Sequence, residues 1–297
     1  MAQILDGKAT AQAIQEAIRV RVSEIKSAGQ PAPHLAAVLI GDDPASQVYV
    51  TNKVRTCEEL GFGSSLVRRS ADISQQELLD IVQDLNDDPT VHGILVQLPL
   101  PKLIDSNAII NAIAPGKDVD GFHPISQGRM VLGQPTFLPA TPYGILLMLE
   151  QYGIETAGKH CVVIGRSNIV GTPMSVLLSR NSDPGNATVT LTHSKTKNLA
   201  GICRQADIIV AAIGSPRFLK ADMVKEGAVV IDVGMNRIED RTRKSGSRLV
   251  GDVDFDAVQE KASWITPVPG GVGPMTICGL MKNTLRAWEV AGMRDEG

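Results

Sequence analysis

Residues 161–173 have the sequence Cys161-Val-Val-Ile-Gly-Arg-Ser-Asn-Ile-Val-Gly-Thr-Pro173. The segment begins with apolar residues that include β-branched valine and isoleucine, which predicts a strand buried on both faces. Gly165 ends that strand, and Gly171 opens a helix that we expect to end near Arg180. A helix N-terminus carries N–H groups without helical partners and partial positive charge, so it can bind a phosphate. The segment therefore predicts a strand, a turn and a helix suited to a pyrophosphate.

The spacing of the two glycines leaves a second interpretation open. The spacing is G-x5-G rather than the common G-x-G-x-x-G. An ordinary α/β turn with two glycines is therefore the alternative to a phosphate-binding turn. The residues that follow favour the cofactor. A second strand is predicted over 187–192, and its end offers Ser194 and Lys195 where NAD-binding units carry an Asp or Glu. Arg166 lies inside the turn, so the pattern indicates NADP rather than NAD.

The composition is that of an ordinary globular protein. The chain has 297 residues, which is enough for two domains, and 43% of them are hydrophobic. The net charge is −3, and we find no basic run typical of nucleic-acid or membrane binding. The segment Arg241-Thr-Arg-Lys244 lies between two strand-like segments and is interpreted as a solvated hairpin. No partner of either kind is therefore expected.

The cysteines and histidines do not predict a metal site. The four cysteines are far apart among apolar neighbours, and the five histidines lack metal-ligand spacing. The N-terminus lacks the charged and apolar regions of a secretion signal, and no apolar run approaches the ~18 residues of a membrane span. We expect a cytoplasmic protein with no bound metal.

The pattern of the first half predicts alternating helices and strands. Residues 14–25 carry an apolar helical stripe, 35–40 and 93–97 have the composition of buried strands, and 47–60 form a second amphipathic helix. Ser74 and Glu77 are placed as a capping box before a further helix. This alternation is typical of a parallel sheet covered by helices.

A stretch rich in glycine and proline, residues 115–142, divides the chain. We expect it to act as a hinge, with Thr141 as the N-cap of a helix through Glu150. Strands are predicted at 207–212 and 229–233, and a last helix from Pro274. The predicted domains are residues 1–140 with 270–297, and residues 141–269 as the dinucleotide-binding domain.

Tyr49 and Lys53 are four residues apart on the second predicted helix, so they lie on one face. That face is turned away from the apolar stripe, and a solvated pair is the simpler interpretation. Gln97 ends a predicted strand, where ligands bind in open α/β sheets, or it simply caps the strand. Asp118 and Asp120 lie in a loop, either as turn formers or as acceptors for a heterocycle with adjacent N–H donors.

Five motifs occur together in a specific order. They are Tyr49-x3-Lys53, Gly93-Ile-Leu-Val-Gln-Leu-Pro-Leu-Pro101, Lys117-Asp-Val-Asp-Gly-Phe122, Gly165-Arg-Ser-Asn-Ile-Val-Gly171 and Pro267-Val-Pro-Gly-Gly-Val-Gly-Pro-Met-Thr276. With them the chain resembles, from end to end, the methylenetetrahydrofolate dehydrogenase/methenyltetrahydrofolate cyclohydrolase family. The resemblance implies two α/β domains: an N-terminal folate-binding domain, on which the last helix packs, and a Rossmann-like NADP-binding domain with a parallel sheet.

The resemblance also implies roles for single residues. Lys53 matches the catalytic acid/base, Gln97 the residue that tunes it, and Asp120 the residue that binds the pterin. The folate-contacting positions implied by the family are Tyr49, Lys53, Gln97, Leu98, Asp120, Pro267, Gly270 and Gly271. The cofactor positions implied are Gly165, Arg166, Ser167, Ser194 and Met235. Three departures from the family pattern are Ala140, Ser126 and Cys278-Gly279.

The function implied is the NADP-dependent oxidation of 5,10-methylenetetrahydrofolate and hydrolysis of the product to 10-formyltetrahydrofolate. This reaction pair belongs to one-carbon metabolism and supports purine biosynthesis. The resemblance suggests a homodimer through the dinucleotide domain. Two alternatives are a monofunctional dehydrogenase with weak cyclohydrolase activity and a non-catalytic NADP-binding sensor.

Overall fold

The computed structural model describes residues 1–242 and 246–295. The strands in this part of the chain are β1 (Gln3–Ile4), β2 (His34–Ile40), β3 (Gly63–Arg69), β4 (Gly93–Val96), β5 (His160–Ile164), β6 (Thr188–Thr192), β7 (Ile208–Ala211), β8 (Val229–Asp232), β9 (Asn236–Glu239), β10 (Ser247–Val250) and β11 (Trp264–Ile265). The helices are α1 (Gly7–Ser27), α2 (Pro44–Leu60), α3 (Gln75–Asp87), α4 (Ser106–Ala112), α5 (Pro124–Val131), α6 (Ala140–Gln151), α7 (Gly171–Ser179), α8 (Leu199–Cys203), α9 (Phe255–Val258) and α10 (Val272–Asp295). A short 3-10 helix spans Ala221–Met223.

The chain forms two compact units. The six-stranded unit contains Met1–Gln12 and Thr141–Thr276, and the three-stranded unit contains Ala13–Ala140 and Ile277–Gly297. The fold class is mixed α/β with parallel sheets, as expected from the sequence. The chain crosses from one unit to the other at three points, inside α1, at the first residue of α6 and inside α10.

The six-stranded unit is built on a parallel sheet with the strand order β1-β11-β8-β7-β5-β6. Its central strands are fully buried because helices or other elements cover both faces, which explains their runs of valine and isoleucine. From β5 the chain continues to β6 on one side and to β7 on the other. The order therefore reverses between β5 and β7, where open α/β sheets bind ligands.

The three-stranded unit is built on a parallel sheet with the order β3-β2-β4. Alternate residues of β2 contribute to two different cores, because successive side chains of a strand point to opposite faces. Leu35 and Leu39 belong to a cluster that includes Val50 and Cys57 of α2, and Val38 to a cluster that includes residues of α3 and α4.

The last helix contributes to the core of the three-stranded unit. Leu280, Met281 and Ala287 lie in the same buried cluster as Val50 and Cys57. The Cys57 Sγ is 3.6 Å from the Met281 Sδ. The segment from Ile277 onward thus packs on residues that precede it by more than 200 positions.

The boundaries of the compact units differ from the predicted domains in two segments. Residues 1–12 and 270–276 lie in the six-stranded unit, whereas the sequence placed both with the first domain. The reason for the first is that β1 pairs with β11 in the six-stranded sheet, and the Lys8 N–H donates to the Gly270 carbonyl at 3.0 Å. Such a two-residue strand has no periodic signal in the sequence.

Several local predictions agree with the structure, and others do not. The Ser74 hydroxyl caps α3 by accepting from the Glu77 N–H at 3.1 Å, and β9 pairs antiparallel with β10 as a hairpin. Of the predicted solvated hairpin, Arg243 and Lys244 lie outside the described residues. Thr141 is not an N-cap, because α6 already begins at Ala140. The expected hinge contains the helix α5, and β3 and α4 were not predicted.

No helix in the described part of the chain is long and apolar enough to span a membrane.

Candidate active site

Helix α2 places Lys53 in the interior of the three-stranded unit. The helix begins after Asp43, whose carboxylate accepts from the Ser46 N–H at 2.7 Å, and Pro44 occupies its first turn. Val50 and Cys57 are buried on its apolar side. Lys53 is also buried, with only 8% of its surface exposed. The interpretation of Tyr49 and Lys53 as a solvated pair is therefore wrong for Lys53.

Gln97 holds the end of the Lys53 side chain. It follows β4 directly, and its N–H donates to the Val38 carbonyl at 2.9 Å. The Lys53 Nζ donates to Gln97 Oε1 at 3.0 Å, and Gln97 Nε2 donates to the Leu98 carbonyl at 2.7 Å. The second bond fixes which end of the amide faces the lysine, because only the Nε2 end can donate to a carbonyl.

The environment of Lys53 favours a neutral amine more than water does. Burial lowers the pKa of Lys53, and the negative charge of Asp120 opposes this by raising it. Burial raises the pKa of Asp120, and the charge of Lys53 acts in the opposite direction. The two groups therefore titrate as an interacting pair, with an amine that is easier to deprotonate than an exposed lysine.

The two aspartates of the loop after α4 have different environments. Asp118 is 1% exposed, and its carboxylate accepts from the Phe122 N–H at 3.2 Å and the His123 N–H at 2.9 Å. Burial raises the pKa of Asp118 to about 6, although the hydroxyl of Ser126 and these two N–H groups lower it. Asp118 is thus the turn-forming residue, and Asp120 is the carboxylate that interacts with Lys53.

The loop that carries Asp120 is held from outside as well. Asn283 of α10, 2% exposed, donates from Nδ2 to the carbonyls of Val119 and Leu138, both at 2.8 Å. Gly121 has a φ of +73°, and a Cβ there would lie 2.6 Å from the backbone of Leu138. The backbone on both sides of Asp120 is therefore fixed. Sequence reasoning missed Asn283, because nothing local links residue 283 to residue 119.

Tyr49 is half-buried, and burial raises the pKa of its hydroxyl. Leu98 is also partly exposed, and its carbonyl is the group that orients Gln97. Lys53, Gln97, Leu98 and Asp120 are linked in the three-stranded unit by hydrogen bonds or charge. Tyr49 lies one helical turn before Lys53 on α2, and the structure gives it no hydrogen bond to these residues.

In the six-stranded unit, the turn after β5 is as tight as the two glycines suggest. Gly165 has a φ of +111°, and a Cβ there would lie 2.2 Å from the Ala212 carbonyl oxygen. A Cβ on Gly171 would lie 2.0 Å from the Gly165 carbonyl oxygen. Only glycine fits at these two positions, since the backbone approaches itself and the neighbouring strand closely.

The N-terminus of α7 is partly used by the turn itself. The Ser167 hydroxyl accepts from the N–H groups of Val170 at 3.2 Å and Gly171 at 3.4 Å. The Thr172 N–H donates to the Ser167 carbonyl at 3.0 Å. The N–H groups of Val170, Gly171 and Thr172 thus already donate within the turn. A phosphate bound here would have to accept from side chains and from N–H groups that precede Val170.

The residues expected around a 2′-phosphate are accessible. Arg166 and Ser194 are exposed, one in the turn after β5 and the other after β6. These strands are adjacent in the sheet, and the carboxyl ends of parallel strands lie at the same edge. Residues 193–197, which follow β6, contain no Asp or Glu that would repel a phosphate. The site thus fits NADP by the chemistry of its side chains.

The loop 267–271 precedes α10 and is hydrogen-bonded to the first turn of α1. The Gly271 N–H donates to the Pro267 carbonyl at 2.9 Å, and the Gly270 carbonyl accepts from the Lys8 N–H. Gly270 has a φ of +108°, and nothing within 4 Å would contact a Cβ there. Pro267 and Gly270 are partly exposed, but Gly271, the third predicted residue of this loop, is buried. Met235, after β8, is 38% exposed.

Two buried aspartates of the six-stranded unit were not predicted. Asp232 and Asp252 are 3% and 0% exposed, and each accepts several backbone N–H bonds. Burial raises the pKa of Asp232 to about 7. The only local signal for either aspartate is a glycine nearby in the sequence, Gly234 after Asp232 and Gly251 before Asp252. A Cβ on Gly234 would overlap the Asp252 carboxylate, and a Cβ on Gly251 would overlap the Asp232 carboxylate.

The departures from the family pattern are accommodated within the fold. Ser126 is buried and hydrogen-bonds to Asp118, Ala140 is the buried first residue of α6, and Cys278 is buried in α10. In residues 1–242 and 246–295, no cluster of three or more His, Cys, Asp or Glu could hold a metal ion.

These observations define a two-unit α/β protein, with a dinucleotide-binding sheet in one unit and a buried lysine held by a glutamine in the other. Residues 5–120 match the model of the tetrahydrofolate dehydrogenase/cyclohydrolase catalytic domain, and residues 139–292 match that of the NAD(P)-binding domain of the same family. The chain belongs to the tetrahydrofolate dehydrogenase/cyclohydrolase family.

Similar proteins cover essentially the whole chain. The bifunctional protein FolD of Cytophaga hutchinsonii is 59% identical over 285 residues, which are 96% of this chain and 98% of the relative. The crystal structure of the bifunctional enzyme FolD from Campylobacter jejuni has a TM-score of 0.91 at 48% identity and covers 99% of this chain and 100% of its own. The Trypanosoma brucei methylenetetrahydrofolate dehydrogenase-cyclohydrolase, complexed with NADP cofactor and inhibitor, has a TM-score of 0.93 at 38% identity, with 98% of both chains covered.

Proposed function

We propose that this protein oxidises 5,10-methylenetetrahydrofolate with NADP⁺ to the 5,10-methenyl form and hydrolyses that product to 10-formyltetrahydrofolate. The family membership supports both activities. The single observation that carries the proposal is the buried Lys53, bonded to Gln97 and influenced by the charge of Asp120. Burial of a lysine costs free energy, and dinucleotide binding alone does not require a buried lysine.

In the first reaction, the C–H bond of the methylene carbon breaks and a hydride leaves with its electron pair. NADP⁺, when bound, supplies the nicotinamide that accepts the hydride. The protein's contribution is alignment of the two ligands. We assign cofactor binding to Gly165, Arg166, Ser167, Ser194 and Met235. The glycine allows close backbone approach, and Arg166 with Ser194 provides a cation and a donor for the 2′-phosphate.

In the second reaction, water adds to the methenyl carbon and the bond from that carbon to N5 breaks. Lys53 accepts one proton from the attacking water and delivers a proton to N5, while the other proton of the water goes to solvent. An ordinary lysine, with a pKa of about 10.4, is a poor base at neutral pH. Burial lowers the pKa of Lys53, which makes the neutral amine available. Gln97 is assigned the role of holding it.

Folate binding is assigned to the positions that the family resemblance implies. Asp120 presents an acceptor-only group to the N–H donors of the pterin when it is ionised. Tyr49 offers an aromatic ring beside Lys53, and Leu98 provides apolar surface next to Gln97. We assign Pro267, Gly270 and Gly271 to the loop that contacts the folate. Pro267 and Gly270 are partly exposed, which supports their assignment, whereas Gly271 is buried and is assigned from the family resemblance alone.

Three further features belong to the proposal. The folate-binding domain comprises residues 1–140 with 270–297 by function, and the NADP-binding domain residues 141–269. The protein acts in the cytoplasm, in one-carbon metabolism that supports purine biosynthesis. It forms a homodimer through the NADP-binding domain, which sedimentation equilibrium would test: a single species of monomer mass at micromolar concentration would contradict the dimer.

The direct test is an assay of both activities on the purified protein. Methylenetetrahydrofolate and NADP⁺ are mixed with the protein, the reduced cofactor is followed by its absorbance, and the formyl product is measured separately. Both products should form. Reduced cofactor without formyl product would indicate a monofunctional dehydrogenase, and neither product with intact NADP⁺ binding would indicate a sensor.

Lys53→Met should abolish the second activity while leaving NADP⁺ binding intact. Methionine keeps an apolar stem of similar length but cannot carry a proton, and proton transfer of this kind contributes about 10²–10⁴-fold. The rate of methenyl hydrolysis measures the loss. Lys26→Met, which changes an exposed lysine of α1, is the matched control. Hydrolysis by Lys53→Met within about threefold of the parent would contradict the role of Lys53.

A further inference from the structure

Asp252 connects the loop after β7 to the start of β9 through its carboxylate. Oδ2 accepts from the N–H groups of Ile213 at 2.7 Å and Gly214 at 2.9 Å. Oδ1 accepts from the Ser215 N–H at 2.8 Å and from Asn236 Nδ2 at 2.9 Å. One fully buried side chain thus binds three consecutive amides of the loop after β7 and the side chain of Asn236, the first residue of β9, which directly follows Met235.

Asp252 is itself held in place by Asp232. Asp232 Oδ1 accepts from the Asp252 N–H at 2.8 Å and from the Gly234 N–H at 2.9 Å. A Cβ on Gly251 would lie 1.7 Å from Asp232 Oδ2, and one on Gly234 would lie 2.3 Å from Asp252 Oδ1. The backbone therefore closes tightly around both carboxylates, so that neither loop can shift without breaking several hydrogen bonds.

The held loops lie where a dinucleotide must pass. Ile213–Ser215 follows β7, and β7 lies beside β5 at the point where the strand order reverses. Gly165, which opens the phosphate turn, packs against the Ala212 carbonyl at the start of the same loop. Ser194 follows β6 on the opposite side of β5. A dinucleotide whose adenosine ribose lies near Ser194 therefore extends its other half toward β7 and β8.

We propose that Asp252 is a positioning residue for the nicotinamide half of NADP, acting through the loop 213–215 and the loop that carries Met235. This inference rests on the proposed function, because it takes NADP as the ligand. Asp252 does not touch the cofactor. It sets the backbone of the segments that border the nicotinamide, and misplacement of about 1 Å at a reacting centre can cost about a hundredfold in rate.

A carboxylate suits this role and an amide does not. All four groups around Asp252 are N–H donors, and an ionised carboxylate accepts on both oxygens. In Asp252→Asn one oxygen becomes an NH₂ group, which must face at least one of these donors. The backbone or side chain that carries the opposed donor then has to move. The hydrogen bonds of β7 and β8 and those of the residues near Ser194 are expected to stay unchanged.

The test compares two ligands on Asp252→Asn and on the control Asp254→Asn. Asp254 is two residues away and pairs with Lys220 at the surface. The probes are NADP⁺ and adenosine 2′,5′-bisphosphate, which carries only the adenosine half. In Asp252→Asn the affinity for NADP⁺ should fall by about tenfold relative to that for the bisphosphate, and the dehydrogenase kcat by about ten- to a hundredfold. Hydrolysis of methenyltetrahydrofolate, which needs no NADP⁺, should change by less than about twofold.

A merely structural role would give a different result. The inference would be overturned if the affinities for both probes fell by the same factor or stayed the same, so that their ratio was unchanged. A dehydrogenase rate within about twofold of the parent would also overturn it. If the parent itself does not reduce NADP⁺, the proposed function fails, and the ratio of the two affinities alone still decides the role of Asp252.

A second variant covers the case in which Asp252→Asn does not fold. Asn236→Ala removes the side-chain donor to Asp252 Oδ1 and leaves the carboxylate and its three backbone partners in place. It should lower the affinity for NADP⁺ relative to the bisphosphate by about two- to fivefold, with hydrolysis unchanged. An unchanged ratio in this variant would overturn the inference.

Discussion

Lys53 and Lys26 show how position in the fold gives one residue type two chemical characters. Lys26 lies exposed in the last turn of α1, whereas Lys53 is buried in α2 and bonded to Gln97. Burial disfavours the charged amine, and the carboxylate of Asp120 partly restores it. The balance between these two effects sets the pKa of Lys53, and with it the pH range in which the proposed base is neutral.

Gln97→Glu should move the pH dependence of hydrolysis toward higher pH. A carboxylate beside Lys53 favours the ammonium and so raises the pKa of the lysine, and the neutral amine becomes scarcer at pH 7. The hydrolysis rate at pH 7 should fall by about tenfold or more and recover partly as the pH rises. The measurement is the rate of methenyl hydrolysis across pH, with Gln30→Glu, an exposed change of the same kind, as control. A profile displaced toward lower pH would contradict the assignment of Lys53 as the base.

Arg166→Ala should weaken NADP⁺ and leave NAD⁺ nearly unchanged. The hydrogen bond from arginine to phosphate is charge-assisted and contributes roughly 1.5–3 kcal/mol, or about 10- to 150-fold in affinity. Binding is measured for both cofactors by titration, and Arg204→Ala serves as the control on an exposed arginine of the same unit. High salt should reduce the preference of the parent for NADP⁺, because part of it is screened attraction. Equal affinity of the parent for the two cofactors would refute the placement of Arg166.

At the scale of elements, the loop 117–123 is a short segment held by three others. Lys117 donates from Nζ to the carbonyls of Leu85, Asn86 and Asp88 at the end of α3. Asn283 of α10 holds Val119, and Gln127 of α5 donates to the Gly121 carbonyl at 2.6 Å. The loop has no regular structure of its own, so these bonds set the position of Asp120.

Asn283→Ala should lower the free energy of unfolding by about 2–3 kcal/mol. The change leaves the carbonyls of Val119 and Leu138 without their buried donor, and an unsatisfied buried polar group costs about 1–3 kcal/mol. Urea denaturation followed by circular dichroism measures the effect. Asn111→Ala, on the exposed side of α4, should change the stability by less than about 0.5 kcal/mol. Equal stability of the two variants would show that the loop does not depend on Asn283.

At the scale of the whole molecule, each unit has its own buried core and its own set of residues with a proposed function. The core of the six-stranded unit includes Val162, Ile209 and Val230 from three adjacent strands. Ligand binding to a folded unit stabilises it by mass action, with about 2.7 kcal/mol at a ligand concentration of 100 times Kd. NADP⁺ should therefore stabilise the strands next to its site.

Hydrogen exchange of the parent with and without NADP⁺ tests this expectation. At 100 times Kd, the slowest amides of β5 and β7 should exchange about a hundredfold more slowly when exchange requires unfolding of the unit. The same total concentration of NADP⁺ should protect Arg166→Ala much less. Unchanged exchange in β5 and β7 of the parent would place the cofactor elsewhere.

Elements with a local pattern could be predicted from the amino-acid sequence. The apolar period of α1 and α2, the capping residue of α3 and the strand–turn–helix of β5 and α7 all agree with the structure. Periodicity, caps and glycine turns depend on residues within a few positions of one another, so they can be recognised without the fold. The five ordered motifs indicated the family, and the family resemblance implied the roles expected for Lys53, Gln97 and Asp120.

Which side chains are buried, and which distant residues come into contact, could be seen only in the folded chain. Lys53 and Gln97 are 44 positions apart, and Asn283 and Val119 are 164 positions apart. The chain also places residues 1–12 in the six-stranded unit and assigns the structural role to Asp118 rather than Asp120. Burial and hydrogen bonding depend on the packing of segments that are remote in the sequence, and no local pattern encodes that packing.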